Sequence, residues 1–434
     1  MKVATRTAEP PTIGEYVFVV CILLYSSGAF ITLLKGSEDL PVGMSTGSLA
    51  ANSIWVISYL LGGCFLIKYC RWDVRLLRQN PWLFALTALP VVSVLWSDAP
   101  SITALRAAAL LGTTLLGLYL GLRYDSMQFL QLLGWSLGIA AVLSFLVALL
   151  VPSYGMGSGV FEGDWIGVFQ HKNTLGSVMA LGFLVFSMLR RVSRTGKWFF
   201  WCLCLLSLAL VFLADSVTSK VACAFLASIM FYSAFIRPKV KSPVRRFCII
   251  FFSASTVALF VYIHFADILN FLGRDENLTG RLIIWALVWP LVQQRFLLGY
   301  GYGGFWLGLD GPSEEVWRVL GEQSIYHAHN GYLEIWTGCG LIGVILFLLC
   351  IIVAFRKAVI RSRNRPTAES QWPLYLFLFL AFHNLAEPTF LVMNHIFWLL
   401  FVAVVIQLSC PAEIVIREKR PALNARMEPR FEHA

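Results

Sequence analysis

The sequence predicts an all-α fold: a polytopic integral membrane helical bundle of about twelve transmembrane helices with one large periplasmic loop. Three observations predict it. Of 434 residues, 58% are hydrophobic and only 13% charged, with a mean hydropathy of +0.73. A soluble domain carries about 25% charged residues, so this chain cannot cover a water-facing surface of its size. Its apolar residues come in runs of about twenty, the length at which a helix crosses a bilayer. Its basic residues fall in alternate connections between those runs.

In order, the expected spans are 14–34, 49–67, 81–96, 102–122, 129–151, 174–190, 198–214, 219–236, 246–264, 332–355, 372–388 and 389–409. Residues 1–264 would hold spans one to nine, and 265–331 a large external loop with short helices. Residues 332–409 would hold spans ten to twelve, and 410–434 a cytoplasmic tail. Residues 1–11 lack a small-residue cleavage site, and 14–34 is long enough to span, so the first run reads as a retained helix. The ten cysteines sit mostly in or beside apolar runs with no CxxC pair. They read as small buried hydrophobes, not a disulfide framework or metal cluster.

Charge orients the bundle. With these spans, 26 of the 34 Lys and Arg lie on one face, in clusters such as Arg190, Arg191, Arg194 and Lys197 or Arg356, Lys357, Arg361, Arg363 and Arg365. By the positive-inside rule that face, with both termini, is cytoplasmic, and the protein is a multi-pass protein of the bacterial inner membrane. The net charge of +10 is then accounted for by topology and by contact with anionic membrane lipids, with no nucleic-acid partner. Cations on the opposite face have no topological task.

Those cations sit in unusual strings. Asn277-Leu-Thr-Gly-Arg281-Leu-Ile-Ile-Trp285 reads as a helix with Thr279 at its N-cap and Arg281 in the first turn. A cation there adds to the positive end of the helix dipole, which suits anion binding. Pairing with Asp275 or stacking on Trp285 would also account for it. Gly299-Tyr-Gly301-Tyr-Gly303-Gly304-Phe-Trp306 allows tight turns but lacks the Lys-Ser/Thr of a nucleotide P-loop. His327-Ala-His329-Asn330-Gly331 opens span ten, with Glu334 one turn below Asn330. An imidazole there can accept a hydroxyl proton near neutral pH. Metal binding by His327 and His329 would need a third ligand, and none stands nearby in the sequence. Gly338, Gly340 and Gly343 suit close helix packing.

Two more clusters share this face: His171-Lys172-Asn173, opening span six, and Trp96-Ser97-Asp98 with Arg106. Lys172 and Arg106 stand at the membrane boundary, where a charge is costly unless partnered, functional or snorkelling. Asp215, Lys220, His383, Asn384 and Glu387 read as lining around them.

Taken in order, Phe169-Gln-His171-Lys172-Asn173-Thr-Leu-Gly176, Thr279-Gly280-Arg281 with Trp285, Gly299-Tyr-Gly301, Phe305-Trp306 and His329-Asn330 with Leu333 and Gly338 carry a resemblance. The chain resembles the O-antigen ligase and polymerase superfamily, and within it looks like the succinoglycan-type (ExoQ-like) exopolysaccharide polymerases. No metal-ligand set is visible in the sequence, so no metal or other cofactor is expected. The resemblance implies a glycosyltransferase, and a single displacement at the anomeric carbon would make it inverting. It would take an oligosaccharide from undecaprenyl pyrophosphate at the periplasmic face and pass it to a hydroxyl of another glycan. It further implies His329 as the base or acceptor-orienting residue, Arg281 as the pyrophosphate cation and Lys172 as a second one. Ligases of the family tend to carry arginine near that second position, so Lys172 fits the polymerase branch. His171, Asn173, Arg106, His327 and Asn330 would bind substrate. A flippase and chain-length or export proteins would be partners. The alternatives are an O-antigen ligase using a lipid A core acceptor, and a transporter of lipid-linked sugar without chemistry. A transporter would place its functional charges near mid-membrane, whereas these cluster on one face.

Overall fold

The computed structural model describes residues 10–31, 49–70, 74–193, 196–236, 281–320 and 325–410. The expected ninth span, the Thr279 cap, Asp275 and the tail from 411 onward lie outside the described residues. Among those residues Met156 and Trp165 form an isolated β-bridge, and nearly everything else is helix and connecting loop.

Local chemistry sets most helix starts. A capping box of Thr12 and Glu15 opens α1 (Ile13–Ser26), and one of Asp125 and Gln128 opens α5 (Ser126–Leu150), each satisfying backbone N–H groups that have no intrahelical partner. α2 (Leu49–Tyr69) lies between them in sequence. Prolines stand in the first turn of α3 (Pro81–Val92) and α4 (Pro100–Arg123), where a missing N–H costs nothing. Then follow α6 (Lys172–Val192), α7 (Lys197–Leu213) and α8 (Val217–Phe231). α9 (Arg281–Gln294) precedes the glycine-rich loop, and α10 (Gly331–Asn364), α11 (Ala368–His383) and α12 (Ile396–Ser409) complete the order. Among the described residues, six helices are long and apolar enough to cross a membrane, namely α2, α4, α5, α6, α10 and α8 with its extension to Ala234. α1, α7, α12 and the Pro81–Leu95 segment are shorter and apolar.

α12 is buried along its whole length from Ile396 to Gln407, as expected for a helix apolar on every side. α4 packs against it so closely that a Cβ on Gly121 would lie 2.6 Å from the Ala403 carbonyl oxygen. α6, buried from Leu175 to Leu189 apart from Phe183, forms a second pillar. α2 turns Val56, Ile57, Leu60 and Ile67 outward, which in lipid needs no further cover.

Two sequence expectations change. Spans eleven and twelve are expected to abut at residues 388 and 389, but α11 ends at His383 and α12 starts at Ile396, leaving a loop at 384–395. Pro388 and the positive φ of Leu391 (54°) and Asn394 (59°) fit that break. Gly340, expected with Gly338 and Gly343 to permit close helix packing, does admit a close neighbour, but it also breaks α10, with φ 64° and ψ −168°. The strand of chain after α9 docks into the break. The Leu341 N–H donates to the Phe296 carbonyl at 2.9 Å and the Tyr300 N–H to the Thr337 carbonyl at 2.8 Å.

The two ends of the bundle differ. At one, Arg123 pairs with Glu15 at 2.8 Å and lies 4.5 Å from the Tyr69 ring centroid, Lys357 reaches Asn80 and Ser409, and Arg361 reaches Ser126. At the other, the starts of α4, α6, α9 and α10 come together.

Candidate functional site

Three of those helix starts converge on one carboxylate. Arg281, the first residue of α9, donates from Nη2 to Glu387 Oε1 at 2.9 Å, both side chains being largely buried. Asn173, the second residue of α6, donates from Nδ2 to the same oxygen at 3.2 Å. His329, just before α10, brings Nδ1 to 3.2 Å from Glu387 Oε2. Helix N-termini carry partial positive charge, so the pocket is electropositive by backbone and side chain alike.

The His327–Asn330 turn is built to aim that imidazole. His329 has φ +49°, a left-handed conformation that costs a non-glycine residue energy and persists only where surroundings hold it. Here Asn330 Oδ1 caps α10, accepting from the Tyr332 and Leu333 N–H groups at 3.0 and 3.1 Å. His327 Nδ1 accepts from the His329 N–H at 3.2 Å, and the two rings meet edge to face at 4.1 Å. Between them, the Ala328 carbonyl accepts from Trp285 Nε1 at 2.7 Å, and the Ala328 N–H donates to Glu334. Glu334 also accepts from Trp306 Nε1 at 2.9 Å. The Glu387 N–H donates to the His383 carbonyl at 3.0 Å, and in the same turn the Asn384 carbonyl accepts from the Gly331 N–H at 2.8 Å while Asn384 Oδ1 accepts from the Thr389 hydroxyl at 2.9 Å.

Electrostatics follow. Burial works to raise the Glu387 carboxyl, but the His329 hydrogen bond, the charge of Arg281 and the charges that His329 and His327 carry when protonated outweigh it and hold the group well below the usual carboxylate range. Burial and the neighbouring His329 push His327 down to about 3, so it is neutral at pH 7. His171 is likewise lowered by burial, against the pull of Glu387.

The sequence-derived residues separate into groups. Arg281, His329, His327, His171 and Asn173 come together. Lys172 adjoins them, but its ammonium pairs with Asp164 at 2.6 Å and lies 5.0 Å from the Phe161 ring centroid. The His171 ring packs edge-on against the same Phe161 at 5.0 Å, and its Nδ1 accepts from the Asn173 N–H at 3.1 Å. Arg106 stands across a cavity of about 120 Å³ lined also by Tyr302, Trp306, His327, Glu334 and Leu391, and it donates to the Gly303 carbonyl. Asn330, expected to bind substrate, commits its side-chain oxygen to its own helix cap. Larger apolar grooves of about 620 and 470 Å³ flank α5 around Trp135 and have no charged side chain in their lining.

Sequence reasoning ranked Glu387 as lining; it is the hub. The available signal was an acidic residue at a span edge, which is costly there unless it has a partner. Its partners are 58, 106 and 214 positions away. Glu387 also supplies the third candidate metal donor that the sequence lacked, since ligand atoms of His327, His329 and Glu387 all lie within 4.8 Å of one another. Glu387 Oε1 is already engaged by Arg281 and Asn173.

A sequence model of the O-antigen ligase family matches residues 202–348, a stretch that contains Arg281 and His329. The chain is similar to the O-antigen ligases and polymerases. It is 27% identical over 286 residues to the exopolysaccharide production protein ExoQ of Rhizobium meliloti, a match covering 63% of this chain and 64% of that protein. It is 30% identical over 102 residues to a Rickettsia conorii protein provisionally named a polysaccharide ligase, covering 22% of this chain and 24% of that one. The chain thus spans just under two thirds of the first relative and about a quarter of the second. Lys172, Arg106 and Glu387 lie outside the stretch matched to the family.

Proposed function

We propose that this protein is an exopolysaccharide polymerase. It transfers lipid-pyrophosphate-linked oligosaccharide repeat units onto a growing glycan at the periplasmic face of the inner membrane. The observation that carries this reading is the convergence of Arg281, His329 and three helix N-termini at the end of the bundle opposite the basic clusters.

In the reaction, an acceptor hydroxyl attacks the anomeric carbon of the donor as the bond to the pyrophosphate oxygen breaks. The electron pair leaves on the undecaprenyl pyrophosphate, and His329 takes the hydroxyl proton. A single displacement inverts the anomeric configuration. A pyrophosphate is already a good leaving group, so the demand is for fixed positive charge where negative charge grows. Arg281 meets it with a planar fork suited to phosphate oxygens. Lys172 serves as second cation once the diphosphate competes with Asp164, and Arg106, Asn173, His171 and His327 line the approach. No metal or other cofactor takes part in this scheme. The partners are the lipid-linked oligosaccharide and membrane lipids, with a flippase and chain-length or export proteins as neighbours in the pathway.

A second reading, a ligase with lipid A core as acceptor, is favoured by the O-antigen ligase description of the matching family. The test is purified protein in lipid with a synthetic polyprenyl-pyrophosphate repeat unit. A ladder of lengthening glycans supports the polymerase, and product formed only after lipid A core is added makes it a ligase. No product in either case removes both readings and leaves a transporter.

A further inference from the structure

Resting on that reading, we infer that Glu387 is a positioning residue that fixes the tautomer of His329 and ties it to the diphosphate cation Arg281. Three geometric facts carry this. Glu387 faces His329 through Nδ1, at 3.2 and 3.3 Å from its two oxygens. An ionised carboxylate can only accept, so in neutral imidazole Nδ1 must carry the proton and Nε2 is left as the acceptor lone pair. The same carboxylate takes Arg281 at 2.9 Å and Asn173 at 3.2 Å on Oε1, so both the cation and the base are set by one group. The backbone φ of +49° at His329 gives the ring its direction, and the Glu387 contact holds it there.

The arrangement has a chemical consequence. As His329 takes a proton on Nε2 from the acceptor hydroxyl, the ring becomes imidazolium, and the adjacent carboxylate stabilises that charge without itself being protonated. Diphosphate arriving at Arg281 competes with Glu387 Oε1 for the guanidinium and leaves the carboxylate freer to serve His329. Donor occupancy and base activation are thereby coupled through one side chain. The ionisable groups that face Glu387 are Arg281 from α9, His327 and His329 from the turn before α10, His171 from the start of α6 and His383 from the end of α11.

Two measurements test this. ¹⁵N spectra of histidine-labelled wild-type protein in lipid, with the His329 signal assigned by its loss in His329→Ala, should give the Nδ1–H tautomer for the neutral ring. A neutral His329 protonated on Nε2 would overturn the inference without any Glu387 variant. In the ladder assay, Glu387→Gln keeps the shape but removes the charge and lets the amide donate to Nδ1. It should lower kcat by roughly 10²-fold or more while KM for the lipid-linked donor changes less than tenfold, with a mixed His329 tautomer. Glu387→Asp should recover part of kcat. Wild-type-like kcat in a folded Glu387→Gln protein sinks this inference and leaves the polymerase reading intact. An inactive wild-type protein with correct substrate sinks the reading itself.

Discussion

At the residue scale, the site asks each group for a different property. Arg281 supplies a forked cation, so Arg281→Lys keeps the charge but not the two-pronged geometry. Arg281→Ala should cost about 2.7–4 kcal/mol of transition-state stabilisation, on the order of 10²–10³ in rate, with Arg281→Lys in between when initial ladder rates are compared. His329→Ala should lose on the order of 10²–10⁴ in rate while the protein still inserts and elutes as wild type. The buried imidazoles give a pH signature. His327 is held down to about 3 in the folded protein, against about 6.5 for a free imidazole, so the unfolded chain binds more protons between those values. Stability is then full above about pH 6.5 and falls as pH drops through that window. The depressed Glu387 carboxyl acts in the same sense but only at lower pH, below the ordinary carboxylate value. The thermal midpoint in detergent should fall from pH 6.5 to 5, and His327→Gln should flatten that slope. An unchanged slope would mean that His327 is hydrated and free to protonate.

At the element scale, the sequence announced helices better than it announced their ends and breaks. Apolar runs were readable because about twenty apolar residues in a row are what a helix needs to cross a bilayer, whereas the caps at Thr12, Asp125 and Asn330 emerged only with the structure. Gly340 was not readable as a break, because its role comes from Leu297, whose carbonyl oxygen would lie 2.2 Å from an added Cβ. Gly340→Ala should therefore destabilise by at least about 1–3 kcal/mol from backbone strain alone, read as a lowered thermal midpoint. The 384–395 turn was hidden for a related reason: its apolar residues Phe390, Leu391 and Val392 continue the hydrophobic pattern of the helices on either side. α1 and α4 are joined at the far end by the Glu15–Arg123 pair, bidentate at 2.8 and 3.0 Å and almost wholly buried. Removing one partner strands a charge, so Arg123→Ala should cost about 3–5 kcal/mol. Ladder activity per folded molecule should stay near wild type, because that pair sits at the opposite end from Arg281. Substituting both Glu15 and Arg123 with apolar residues of similar size should restore much of the stability.

At the scale of the whole molecule, composition identified a membrane bundle and the motif order pointed to a family, while the centre of the site stayed out of view. Arg281 and His329 were visible as a cation and an imidazole in unusual settings. Their meeting on Glu387 depends on how α9, α10 and the turn after α11 pack, which no local pattern encodes. Lys172 shows the complementary limit: its position beside the site was legible, but its pairing with Asp164 was not. The bundle nonetheless follows one physical logic. Cations that serve topology collect at one end, and those at the other end surround the largely buried Glu387 carboxylate, the place proposed above for a lipid diphosphate.

That logic is tested most directly by glycan synthesis in proteoliposomes supplied with a polyprenyl-pyrophosphate repeat unit on the outer leaflet, with protein orientation sorted by protease protection. Vesicles that present the Arg281–His329 end outward should extend the glycan, and vesicles carrying Arg281→Ala with His329→Ala in the same orientation should not. Equal extension by the double variant, or extension only from vesicles presenting the basic end outward, would contradict the account.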